Sequence, residues 1–419
     1  MIRLRYLADV NPSCPAFETL GTDEQVTFMP LESVWADERL DLTRTRRKSE
    51  TATGYVRFQE GDILVPKVTP TFQAGRSAIV PRLANGVGAG STELHVLRAR
   101  EGADARFICY ATQTSRFLTE GVSRFQGVAG LQRVPELFIR DFSVPDHALG
   151  EQRRIADFLD QQIPLLDRAV ELRMEQAALL RERQRAGVAL LLSGTSTASQ
   201  TVIHPVLGPV NAAWPILRLK RTVQRAGVGV VVNPSSYFVE DGGVPFIHGG
   251  NVREGAFDLT NVKRISAEDS DALHRSRLAP GDVVVVRAGY PGRAAVVPEH
   301  LSGSNCASVL LFTPNDAVEP KWLETFFNSE QGRSQVRLVQ YGAAQEQINL
   351  GDVVEFVLPV PSRDEQRLFM RELQEKQDDL VRLDRLISES VTLLRERKRA
   401  LISAAVMGEF DVTTARSAA

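Results

Sequence analysis

The chain has 419 residues, 43% hydrophobic and 24% charged, which suits two to four ordinary domains of a globular protein. Its 50 Lys and Arg nearly balance its 52 Asp and Glu, so a net charge of −2 excludes a global basic field directed at nucleic acid or membrane. Three scattered cysteines (Cys14, Cys109, Cys306) exclude C-x-x-C metal and redox spacings, and no run reaches the roughly 18 apolar residues of a membrane span.

The opening "MIRLRYLADV" lacks the apolar run of a signal peptide, and the expectation is a cytoplasmic protein. The first 150 or so residues are rich in Gly, Pro and short apolar runs such as "GDILVPKV" at Gly61, which read as strands bounded by turns. From Glu151 the texture becomes Gly-poor and full of Leu, Arg, Glu and Gln. Pro164 lacks the amide hydrogen that a helix interior needs but suits a first turn. The spacing therefore predicts a short lead helix, "EQRRIADFLDQQ", and a long one from Pro164. At 1.5 Å per residue its roughly 30 residues make a rod of about 45 Å. Leu166, Val170, Leu172, Leu179 and Leu190 supply its apolar stripe. A polar linker, "TSTASQTVIHPVLGPVN", follows, and then a second strand-rich stretch with "GDVVVVRAG" and a short helix after Pro320. A last long helix carries Leu373, Leu380, Leu383, Ile387, Val391, Leu394 and Leu401 at steps of three, four and seven, which is coiled-coil spacing.

The two halves are copies. "LLRERQRA" at Leu179 returns as "LLRERKRA" at Leu393, an offset of about 214 residues that also aligns "EQRRIADFL" at Glu151 with "EQRLFMREL" at Glu365. With small gaps, "GDILVPKV" matches "GDVVVVRA" at Gly281, and "AGRSAIV" at Ala74 matches "PGRAAVV" at Pro291. "GVAGLQ" at Gly127 matches "GAAQEQ" at Gly342, and "IRLR" at Ile2 matches "LRLK" at Leu217. One module of about 200 residues is used twice. Two like stripes bury each other most economically as an intramolecular antiparallel pair. The leucines of the octamer explain its recurrence, and its charges read as a solvated face.

A strand-rich segment with a "GD" strand, a Gly/Gln stretch, a "VP" ending and an "EQR" box that opens a Leu-rich helix, all occurring twice, resembles the DNA-specificity subunit of type I restriction–modification systems. The resemblance covers nearly the whole chain. It implies an α+β fold of two β-rich target-recognition domains, each followed by a long helix. The two helices pair as an antiparallel coiled coil with pseudo-two-fold symmetry. The corresponding boundaries are 1–147 for the first recognition domain, 148–194 for the first helical region and 195–213 for the linker. The second recognition domain is 214–361, the second helical region 362–410 and the tail 411–419. The resemblance further implies a non-catalytic subunit that reads a bipartite, asymmetric double-stranded DNA site, one domain per half-site. It would recruit two methyltransferase subunits and, through them, restriction subunits. S-adenosylmethionine, ATP and magnesium belong to those partners, and this chain holds no cofactor, metal or membrane. In agreement, the sequence has no Pro-Pro dipeptide for an adenine methyltransferase and no G-x-x-x-x-G-K-(S/T) phosphate cradle. Two alternatives stay open: a coiled-coil protein–protein adaptor that does not touch DNA, and a specificity subunit of a methylation-only system.

Base edges are read by Arg, Lys, Asn and Gln side chains. In the first half "KVTPTFQAGR" offers Lys67, Gln73 and Arg76, and "RFQGVAGLQR" offers Arg124, Gln126, Gln132 and Arg133. In the second, "FIHGGNVR" offers His248, Asn251 and Arg253, and "RAGYPGR" offers Arg287, Tyr290 and Arg293. "QYGAAQEQIN" adds Gln340, Tyr341, Gln345 and Gln347. Competing structural readings stand beside these: a hairpin turn for "GYPGR", capping for Gln345 and Gln347, and an interior histidine for His248. "RTRRK" from Arg44 reads most simply as a solvated loop.

Overall fold

The computed structural model describes residues 1–34, 40–127, 132–231, 237–240, 242–341 and 346–412. It divides into two compact units, Met1–Glu175 with Leu386–Ala419, and Gln176–Arg385. Each is built on the same frame.

In the first unit an antiparallel sheet runs in the order Ala8–Val10, Leu94–Ala99, Ile63–Pro66, Ala78–Ile79. A second sheet runs Thr45–Arg47, Gln25–Met29, Val87–Gly90, Val56–Gln59, with its middle pair parallel. In the second unit the first of these sheets recurs as Val223–Val228, Val309–Pro314, Val283–Val286, Ala294–Val296. The other recurs as Lys263–Ile265, Val244–His248, Asn305–Ala307, again with one parallel pair. The outermost strands of each module also pair, Ile2–Arg3 with Ser143–Val144 and Ile216–Arg218 with Val357–Pro359.

The repeated "GD" is a turn device. Gly61 and Gly281 take φ of 83° and 85°, a region open mainly to glycine. The buried Asp62 carboxylate then accepts the Gln59 amide at 2.9 Å, and Asp282 accepts that of Ala279 at 2.8 Å. Buried charge needs partners. Asp62 receives Nε and Nη2 of Arg98 at 2.7 and 2.8 Å, whereas Asp282 accepts the Thr313 hydroxyl at 2.6 Å.

The "EQR" glutamines are equally structural. Gln152 accepts the Asp104 amide, which opens the helix Ala105–Ala111, and donates to the His147 carbonyl. Gln366 accepts the Glu319 amide at the start of the helix Pro320–Asn328 and donates to the Ala317 and Pro361 carbonyls. Both side chains are buried and fasten each long helix to its own domain.

The first long helix, Leu149–Ser193, is unbroken, with Pro164 inside it. The expected break is corrected here. Pro164 is exposed, as is Asp160, whose carbonyl its ring leaves unbonded, while Ile163 beside it packs into the core. The second long helix is Arg363–Met407. In the first unit Ile155, Leu159 and Ile163 of one helix share a core with Ile402, Ala405 and Val406 of the other. His147 bonds the Val406 carbonyl and Asp167 meets Lys398, so these segments run antiparallel. In the second unit Val188, Leu191 and Leu192 share a core with Phe369 and Met370, and Arg181 reaches Asp384.

Of the expected seam residues, Leu373 and Ile387 are buried, and Leu166, Val170, Leu380, Val391, Leu394 and Leu401 are half-buried. Leu179, Leu190 and Leu383 are exposed, as is Leu172. The stripe of the first helix runs one position on, through Ala177, Leu180, Gln184 and Leu191. Of each octamer only the second leucine turns inward, Leu180 and Leu394, so Leu394 stands where expected and Leu179 does not.

The position at which the octamers differ lies on this seam. Lys398 is 16% exposed and its ammonium reaches both Asp167 oxygens at 2.9 and 2.7 Å. Gln184 and Val381 stand at the equivalent positions and cannot form the pair. Asp167→Val, which strands a shielded ammonium, is expected to lose about 1–2 kcal/mol in urea unfolding, whereas D167V/K398L stays close to wild type. A double variant as unstable as the single one contradicts this.

Two further readings change. The 195–213 stretch contains a hairpin, Thr201–His204 with Gly208–Asn211, whose Leu207 and Val210 enter the second core. "RTRRK" forms an edge strand, Thr45–Arg47, rather than a loop. Arg46 lies 3.8 Å from the Phe28 ring centre and bonds the Tyr55 hydroxyl.

Candidate nucleic-acid interface

In both units the loop after the "GD" strand is laced to the antiparallel bridge that flanks the Gly/Gln stretch, Gln126 with Arg133 and Tyr341 with Gln347. In the first, Gln126 and Arg133 exchange both backbone hydrogen bonds at 2.9 Å, and the Val134 amide donates to the Lys67 carbonyl. In the second, Tyr341 and Gln347 exchange theirs, and Ile348 and Gly289 donate to Arg287 and Glu346 carbonyls. The 248–253 turn adjoins this second cradle, since a Cβ at Gly249 would lie 3.2 Å from Val286. The backbone thus brings Lys67 beside Gln126 and Arg133 in the first unit, and Arg287 beside Tyr341 and Gln347 in the second. Gln345 lies outside the described residues.

Their side chains are in different states. Arg124, Gln126 and Gln132 are exposed at the first hairpin, and Gln73 at the loop. Arg133 is held by Glu93 through two bonds of 2.7 Å. Lys67 is half-buried and donates to the Thr92 carbonyl; burial pulls its pKa down against the opposing Glu93 and Glu136 carboxylates. Arg76 is half-buried, and its Nε is shielded with no partner among the described residues.

In the second unit His248, Asn251 and Arg253 serve their own turn. Asn251 accepts the His248 amide and donates to the Asp258 carbonyl, while Arg253 pairs with Asp258. The His248 ring lies against Phe246 and Phe238, and burial lowers its pKa. Arg287 Nε donates to the Ile348 carbonyl at 3.3 Å. Gln340 and Gln347 are half-buried, and the exposed Tyr341 donates its hydroxyl to Asn349. Tyr290 is 66% exposed, and the Arg293 guanidinium lies over its ring, 3.9 Å from the centre.

Two residues beneath the first cradle escaped the sequence reading. His95 is buried; its Nε2–H donates to the Val134 carbonyl at 3.0 Å and its Nδ1 accepts from Asn11 at 3.2 Å. Glu93 orients Arg133. The strand register puts Leu310 and Ser308 at the corresponding positions of the second unit. A lone histidine in "ELHVLRA" was the only available signal. The first copy of the frame thus carries a Glu93–Arg133 pair and a buried histidine where the second has Ser308 and Leu310.

Among the described residues no cluster of three His, Cys, Asp or Glu side chains could hold a metal, and no helix is long and apolar enough to cross a membrane.

No protein-family model matches the chain. Its sequence is similar to type I restriction enzyme specificity subunits of Escherichia coli. It is 31% identical to that of EcoAI over 202 residues, 48% of this chain and 33% of that protein. It is 29% identical to that of EcoEI over 203 residues, 48% of this chain and 32% of that protein. With the EcoBI subunit identity is 22% over 282 residues, 65% of this chain and 59% of that protein. The chain therefore spans about a third of the length of the first two relatives. Among solved structures, a chain from work on complex assembly and conformational transition of the type I R-M system matches with a TM-score of 0.77. Identity is 16%, over 98% of this chain and 97% of that one. The HsdS subunit from Thermoanaerobacter tengcongensis matches at 0.58 with 18% identity, over 98% and 96%. The fold is like that of this HsdS structure: two β-rich domains, each followed by a long helix. In sequence over part of their length, and in fold over nearly the whole chain, the protein is thus similar to type I restriction–modification specificity subunits.

Proposed function

We propose that this chain is the DNA-specificity subunit of a cytoplasmic type I restriction–modification complex. Its two β-rich domains, 1–147 and 214–361, each read one half of a bipartite, asymmetric double-stranded site. The subunit itself catalyses nothing. It assembles two methyltransferase subunits, and through them restriction subunits, which bring S-adenosylmethionine, ATP and magnesium.

The observation that carries this reading is the duplication. Sheets, "GD" turns and glutamine joints recur, while the side chains at the loop–hairpin cradle diverge, as two readers of different half-sites require. Each 45-residue helix is about 68 Å long, more than the 34–36 Å that separates half-sites one turn apart. The balanced charge favours the adaptor reading, because many arginines are already ion-paired. It also implies that tight DNA binding needs the phosphate grip of the partner subunits.

Mapping of methyladenine in cells with and without the gene is expected to reveal a bipartite motif that disappears on deletion. Exchanging residues 1–147 for those of a relative should alter one half-motif alone. The absence of any gene-dependent motif would favour the adaptor.

A further inference from the structure

The two modules share one arginine at one place in the frame. Arg76 follows Gly75 and Arg293 follows Gly292, glycines with φ of 67° and 89°. Each arginine precedes by three residues the strand position that pairs with the "GD" strand, Ile79 with Ile63 and Val296 with Val283. The matching cations of the two cradles are occupied elsewhere. Arg133 is spent on Glu93, and Lys67 and Arg287 on main-chain carbonyls. Neither Arg76 nor Arg293 has a carboxylate partner among the described residues. The Nε of Arg76 is shielded and has no partner among the described residues, and the Arg293 guanidinium lies over the exposed Tyr290 ring, 3.9 Å from its centre.

A guanidinium kept planar and unneutralised at the mouth of a loop suits the O6 and N7 acceptors of guanine, which it meets through two parallel N–H bonds. A phosphate contact needs charge but no fixed plane. The stack on Tyr290 supplies that plane in the second unit, and shielding of Nε restricts rotation in the first. We infer that Arg76 and Arg293 are equivalent base-reading residues, each recognising a guanine in the half-site of its own domain. This rests on the specificity-subunit reading and names what that site reads.

The test uses the full-length chain with its modification subunits. Methyladenine mapping of wild type must first yield a bipartite motif; without one, the functional reading itself fails. Given a motif, each half must contain a G·C pair. Arg76→Ala is expected to relax one such position in one half and Arg293→Ala one in the other. In vitro, preference for guanine there should fall on the order of tenfold or more. Lys at either position offers a single point donor and should recover only part of it. A half-motif without G·C, or an unchanged motif in either alanine variant, overturns the inference. So does a uniform loss of affinity across sequences with the salt slope reduced by about one, the mark of a phosphate contact. Unfolding curves of the four variants are expected to match wild type, which keeps lost specificity apart from lost structure.

Discussion

Gln366→Leu is expected to lower the stability of the second unit by about 3–5 kcal/mol, although the leucine fits a buried site. The side chain accepts the Glu319 amide at 2.8 Å and donates to the Ala317 and Pro361 carbonyls at 2.9 and 2.8 Å. Leucine leaves all three backbone groups unpaired in a water-free joint, at about 1–3 kcal/mol each before relaxation. The damage spreads because Glu319 is also where Arg363 and Arg367 attach, and Trp322 bonds the Pro359 carbonyl nearby. Gln152→Leu removes two bonds of the same kind and should cost less, about 2–3 kcal/mol. Urea unfolding followed by tryptophan emission reads the first variant directly, since Trp214 and Trp322 pack together in the second unit. A loss under 1 kcal/mol for Q366L, or a larger one for Q152L, would refute the account.

That joint shows how far the sequence could be read. The "EQR" box is visible as a repeated string, and its position at the head of a helix follows from the Leu periodicity. Its task does not, because two of the three backbone groups that Gln366 binds, on Ala317 and Glu319, lie 49 and 47 residues earlier in the chain and carry no side-chain signature. The seam was legible as a stripe, in register along most of the second helix but one position off at Leu179 and Leu190 of the first. "LL" pairs offer two adjacent phases, and only packing against the other helix selects Leu180 over Leu179. Pro164 misled for the opposite reason: a local rule about amide hydrogens was outweighed by burial of Ile163 beside it and by the solvent exposure of the proline itself.

The cradle was legible as a location. Matching loops in two repeats pointed to 67–76 with 126–133 and to 287–293 with 341–347, and backbone bonds lace each pair together. The state of each side chain was not legible, because neutralisation depends on residues that strand pairing brings in. Glu93 reaches Arg133 across 40 positions, and Asp258 holds Arg253 within its own turn. Candidates that looked alike as letters therefore separate into occupied and unoccupied cations.

His95 gives the first copy a larger pH dependence than His248, whose pKa burial also lowers, gives the second. Burial, opposed by the bond to the Val134 carbonyl, lowers its pKa from 6.5 to about 4. The folded unit holds the ring neutral, with Nε2–H on Val134 and Nδ1 accepting from Asn11, whereas the unfolded chain takes up a proton below 6.5. Stability is therefore complete above about pH 6.5 and drains as pH falls toward 4, by about 3 kcal/mol in all and about 2 kcal/mol by pH 5. The second unit, with Leu310 at the corresponding position, lacks this contribution. His95→Leu should remove the slope between pH 7 and 5 while weakening the first unit at pH 7, because the Val134 carbonyl and the Asn11 amide lose their partner. Urea midpoints of the first unit, followed by amide hydrogen exchange of the Leu94–Ala99 strand at pH 5, 6 and 7, report the difference. An unchanged slope in H95L would show that the proton uptake belongs to other groups. Since Val134 closes the hairpin that carries Arg133, acid should also loosen the first cradle before the second. On the proposed DNA-reading role, half-site recognition by the first domain should weaken below pH 6 ahead of that by the second.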